Sequence, residues 1–105
     1  MDFLRRLLGG GGQGQDSGMY FYIRSRRSGE IIQVRLDLNQ LSPQYEGDRV
    51  VGYLTIKTVV GQRSFERMEA EFHFDGNKHL ADKSVSGGEF VTREDWLAQQ
   101  QNGSA

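Results

Sequence analysis

Residues 19–38, MYFYIRSRRSGEIIQVRLDL, constrain the fold more than any other part of the chain. Successive side chains on a strand point to opposite faces. Ile32, Val34, Leu36 and Leu38 therefore fall on one face, and Gln33, Arg35 and Asp37 on the other. Such alternation marks a strand with one face buried and one face wet. Upstream, Met19, Phe21 and Ile23 share a face, while Tyr20, Tyr22 and Arg24 share the opposite one. A short polar turn over residues 25–29 joins the two runs, and its Gly29 can take a positive φ at little cost. The stretch is expected to be a β-hairpin.

That pairing puts Tyr20, Tyr22, Arg24 and Arg35 on the outer surface, with Arg26 and Arg27 at the tip. Four arginines there stand against Glu30 and Asp37 alone. Tyrosines interleaved with arginines can stack bases and pair phosphates, so these six residues form a candidate nucleic-acid site. The plainer reading is a solvated face whose long side chains cover the sheet. The whole chain carries a formal net charge of −1. A uniformly basic, nucleic-acid-coating surface is thereby excluded, and any such binding must come from a local patch.

A length of 105 residues suits one small domain. There is no cysteine, which excludes disulfides and thiolate metal sites. No apolar run approaches the roughly 20 residues that span a bilayer, and the cytoplasm is the default expectation. Residues 1–8, MDFLRRLL, could form about two turns of amphipathic helix with Phe3, Leu4, Leu7 and Leu8 on one side. Such a peptide could dock to a partner or make weak membrane contact, or simply fray. Residues 9–18 are Gly-rich and read as a flexible linker.

Beyond the hairpin, residues 39–48 read as a loop with Leu41 and Tyr45 pinning it to the core. Residues 49–60 form a β-rich run, with Leu54 and Ile56 expected inward and Tyr53, Thr55 and Lys57 outward. Within residues 64–75, the alternation of Met68, Ala70, Phe72 and Phe74 against charged neighbours outweighs the helix propensity of the local composition. Residues 80–85 would return as an edge strand. Thr92 is a candidate helix N-cap, with Asp95 three residues on and Trp96 and Leu97 able to pack the helix down. Residues 99–105 read as a polar tail. The expected architecture is α+β: a small antiparallel sheet of four to five strands, with one C-terminal helix, spanning residues 19–98.

The hairpin turn reads Ser25-x-x-Ser28-Gly29-Glu30. Cysteines at both serines would make half a zinc knuckle. From residue 19 to residue 97 the chain resembles a group of small, uncharacterised bacterial proteins that carry R-C-x-x-C-G-E, a V-R-hydrophobic strand, a later C-F and a G-G-x-F-[IV]-T run. The matching stretches are Arg24 to Glu30, Val34-Arg35-Leu36, Ser64-Phe65 and Gly87 to Thr92. That group brings no function to carry over. Where it has cysteine, this chain has Ser25, Ser28 and Ser64. A serine hydroxyl stays protonated near neutral pH and is a poor zinc ligand. The three serines are expected either to cluster and hydrogen-bond in place of a metal, or to be ordinary turn serines.

His73 and His79 are the only histidines. Glu71 and Asp75 share His73's face, yet alternate residues on one strand lie about 7 Å apart and cannot wrap an ion alone. The run Gly87-Gly88-Glu89-Phe90 is similar to the diguanylate cyclase signature but one residue short of it. No nucleophile–base pairing, phosphate loop or dinucleotide fingerprint is present. The expected function is a non-catalytic interaction module, without cofactor or metal. A protein partner leads, with another copy through the 49–60 run as one candidate, and nucleic acid is the alternative.

Overall fold

The computed structural model describes residues 18–103. Seven strands and one helix follow in order: β1 (Gly18–Ser25), β2 (Ile31–Asp37), β3 (Ser42–Glu46), β4 (Arg49–Val60), β5 (Arg67–Asp75), β6 (Leu80–Ser86), β7 (Gly88–Val91) and α1 (Arg93–Gly103). The expectations for residues 1–17 lie outside the described residues. The α+β class, the antiparallel pairing and the C-terminal helix are as the sequence indicates. The strand count is corrected: seven strands divide between two sheets, β2-β1-β7 and β3-β4-β5-β6.

The hairpin β1–β2 pairs Tyr20 with Arg35 and Ile23 with Ile32, which is the register its alternation demands. Ile23, Val34 and Leu36 project from this small sheet. They meet Val59, Met68, Ala70, Phe72 and Phe74 from the larger one. The rings of Phe21 and Phe72 stack at 4.6 Å, and Phe90 meets both edge-on at 6.2 and 5.9 Å. Offset and edge-on pairs of this kind add to the stabilisation from burial.

Three local readings are corrected. Residues 42–46 are a strand, because Gly47-Asp48 closes a hairpin that pairs Glu46 with Arg49. Tyr45 is 64% exposed and pins nothing, whereas Leu41 does pack against the core. On β4 the inward face is the opposite of that expected. Tyr53, Thr55, Lys57 and Val59 pair with Phe74, Phe72, Ala70 and Met68, all of them buried. Leu54 and Ile56 thus face outward, where they pair with His73 and Glu71. A strand apolar on both faces does not disclose its parity, and the unambiguous alternation of β5 decides it.

Helix α1 lies on the outer face of the small sheet. Its cap follows the sequence signal: Asp95 N–H donates to Thr92 Oγ1 at 3.0 Å, and Thr92 N–H donates to Asp95 Oδ2 at 3.2 Å. The helix continues to Gly103, so residues 99–103 are helical rather than tail. Trp96 settles over Tyr22 with ring centroids 5.3 Å apart.

Candidate functional site: two loops and two open strand edges

The six hairpin residues singled out above are not one open surface. Tyr22 is 8% exposed beneath Trp96. Arg24 bridges to Glu89 at 3.1 Å, and Arg27 reaches Glu66 at 3.1 Å. Arg26 is exposed at the tip, with its backbone N–H bound to Gly87 O. Tyr20 and Arg35 pair at the far end of the hairpin, both exposed. The helix accounts for the difference, since an outer face on a lone sheet becomes an inner face once α1 covers it.

The three serines share one hydrogen-bond network at the other end of the chemistry. Ser25 is 2% exposed. Its Oγ accepts the N–H groups of Arg27 and Ser28, both at 3.2 Å, and donates to Glu66 Oε1. Ser64 Oγ donates to Glu30 Oε1 at 3.2 Å and accepts Glu66 N–H at 3.3 Å. Ser28 Oγ accepts Glu30 N–H at 3.2 Å.

This network exposes a repeat that the residue types hide. Residues 25–30 join β1 to β2, and residues 61–66 join β4 to β5, and the two loops have the same backbone. Ser25 N–H donates to Glu30 O and Gly29 N–H to Ser25 O. Gly61 N–H likewise donates to Glu66 O and Phe65 N–H to Gly61 O. Gly29 has φ 79° and its counterpart Phe65 has φ 60°. Glu30 and Glu66 occupy the same loop position, and each serves the other loop. Glu30 accepts N–H groups from Gln62 at 2.9 Å, Arg63 at 3.3 Å and Ser64 at 3.1 Å. Partial burial raises the Glu30 carboxyl, but the donors from Ser64, Arg63 and Gln62 outweigh it and hold the group below its ordinary value. Gly61 stands where Ser25 stands, and it must be small: a Cβ there would overlap Ser64 Oγ and come within 2.7 Å of Glu30 Oε1.

Two strand edges have no strand beside them among the described residues. β4 pairs with β3 only through Leu54, so residues 55–60 have β5 on one side and no strand on the other among the described residues. Ile56 and Val60 there are 51% and 43% exposed, and Phe65 in the following loop is 75% exposed. β2 is the outer strand of the small sheet, and α1 leans over its beginning. Gln99 Oε1 accepts Ile31 N–H at 2.7 Å, and Gln99 Nε2 donates to Gly29 O at 2.8 Å.

His73 pairs with Glu71 at 3.0 Å and His79 with Asp75 at 3.6 Å. Among the described residues no group of three or more His, Cys, Asp or Glu is placed to hold a metal ion. No helix among them is long and apolar enough to cross a membrane. Compared with known proteins, the chain matches no protein-family model, no curated protein and no solved structure.

Proposed function

We propose that this chain is a non-catalytic, cytoplasmic protein-interaction module that takes an extended partner segment along residues 55–60. The observation that carries this reading is the uncovered second half of β4. Backbone groups on that side have no strand to bond among the described residues, and an incoming strand would supply their partners. Exposed Ile56 and Val60 lie on the outer face of this edge and offer apolar contacts to alternate side chains of the segment.

Lys57 shapes the partner. It lies on the inward-facing row of the edge. A second copy pairing antiparallel with its faces matched sets Lys57 against Lys57, Val59 or Thr55, according to register. The first opposes like charges, the second places a charge on a core valine, and none gives Lys57 a carboxylate. A different protein with a carboxylate opposite Lys57 supplies one.

The paired loops have a separate, structural role in this reading. They resemble two facing knuckles, with Ser25, Ser28, Gly61 and Ser64 at the positions that would bear metal ligands. The exchanged carboxylates of Glu30 and Glu66 hold them together instead.

The test is a display selection of extended peptides on the full chain, followed by amide hydrogen exchange. Binders that slow exchange within residues 55–60 and are lost in Ile56→Lys support the reading. Binders that map elsewhere, or edge amides already slow to exchange in the dilute free chain, would refute it.

A further inference from the structure

The carboxamide of Gln99 imitates a strand. It accepts Ile31 N–H and donates to Gly29 O at once. These are the C=O and N–H that flank Glu30, the loop residue just before β2, and a single residue of a parallel neighbour would engage both. Gln99 also divides a groove. On one side a cavity of about 390 Å³ is lined by Ile31, Gln33, Arg63 and Trp96. On the other a more open one of about 480 Å³ is lined by Ser28, Ser64 and Asn102. Glu30, Arg63 and Gln99 border both.

The charges along the groove are unequal. Glu30 spends its carboxylate on the loop amides of residues 62–64. Arg63 is exposed, and its guanidinium has no carboxylate partner among the described residues. A groove with one unspent cation suits a ligand that brings one carboxylate. Ser28, Gln33, Ser64 and Asn102 put polar groups on the walls beside Ile31 and Trp96, a mixture that fits an extended peptide, main chain and side chains together.

We infer that this groove is a second peptide-binding site. An extended protein segment adds as a strand at the start of β2, along Ile31 and Gln33, places a Glu or Asp side chain beside Arg63, and displaces Gln99, which closes the groove in the free protein. The site is distinct from the β4 edge and does not depend on it. Opening has a cost, because a site that must first break two hydrogen bonds binds with an affinity lowered by the fraction of time it stands open.

The experiment uses the full chain, isotopically labelled, and a set of N-acetylated, C-amidated octapeptides of alternating Val and Thr. A single Glu is walked along the sequence, and each peptide has a Gln counterpart. Amide and side-chain NMR signals are followed. At least one Glu peptide is expected to shift Ile31, Gln33 and the Gln99 carboxamide of the unmodified chain. Gln99→Ala should tighten it about 5- to 10-fold, while Arg63→Gln should erase the preference for Glu over Gln. No shift at millimolar peptide in either the unmodified chain or Gln99→Ala would overturn the inference. So would shifts confined to residues 55–60, which support the β4 edge alone. Binding only by peptides with a free C-terminal carboxylate would overturn it as well, since the segment proposed is internal. The unmodified chain supplies the deciding signals even if a variant folds poorly.

Discussion

Ser25, Glu30, Gly61, Ser64 and Glu66 act as a set, and each can be tested alone. Ser25→Ala leaves the N–H groups of Arg27 and Ser28 and the Glu66 carboxylate short of a partner in a buried spot. A loss of about 1–3 kcal/mol is expected in urea unfolding. Gly61→Ala drives a methyl into Ser64 Oγ and the Glu30 carboxylate, and overpacking of this kind costs about 1–3 kcal/mol. Pairing it with Ser64→Gly should recover part of that loss. Glu30 also sets an acid limit. Its folded-state pKa is depressed, so its contribution is complete above the unfolded value, about 4.3, and disappears as pH falls through the folded value. Stability measured from pH 6 to pH 2 should therefore fall more steeply in the parent than in Glu30→Gln, which is weaker near pH 6 and flatter in acid. The serines were readable as a group because their spacing matches a known turn. Gly61 was not, since Gly-Gln-Arg-Ser shares only its Arg-Ser end with Ser-Arg-Arg-Ser, too little to pair the loops until the backbone bonds coincide.

Among the elements, β2 and β5 were plain from their alternation, and the helix cap from Thr92 and Asp95. β3 was not plain: Ser-Pro-Gln-Tyr-Glu has weak strand propensity and is exposed throughout. It exists because β4 offers an edge, a tertiary cause that local composition does not carry. The parity of β4 was hidden for a similar reason, as both its faces hold apolar residues. Helix α1 changed the candidate site most. Trp96 is the only tryptophan, so its fluorescence reports docking on Tyr22 directly. Tyr22→Ala should shift Trp96 emission to the red and speed exchange at Ile31 N–H. Unchanged emission would mean that the helix is held by its Gln99 bonds rather than by the aromatic contact. Thr92→Ala removes a cap and should cost about 1 kcal/mol.

For the whole molecule, the sequence disclosed the class of fold but not the split into two sheets. A hairpin motif looks the same whether its neighbours extend one sheet or stack a second upon it. What decides is which residues have apolar faces left to cover, and β1–β2 and β4–β5 each have one. The two loops at 25–30 and 61–66 tie these hairpins together at one end. Glu30 belongs to the small sheet and completes the loop of the large one, while Glu66 does the reverse. Neither hairpin can therefore reach its final state by itself. A nascent chain that has released only β1 and β2 still owes its first loop a carboxylate 36 residues downstream of Glu30's own position. The exchange acts as a mutual guarantee of assembly: a half-built sandwich is left with loose loops at its end, open to proteases, until the other half arrives.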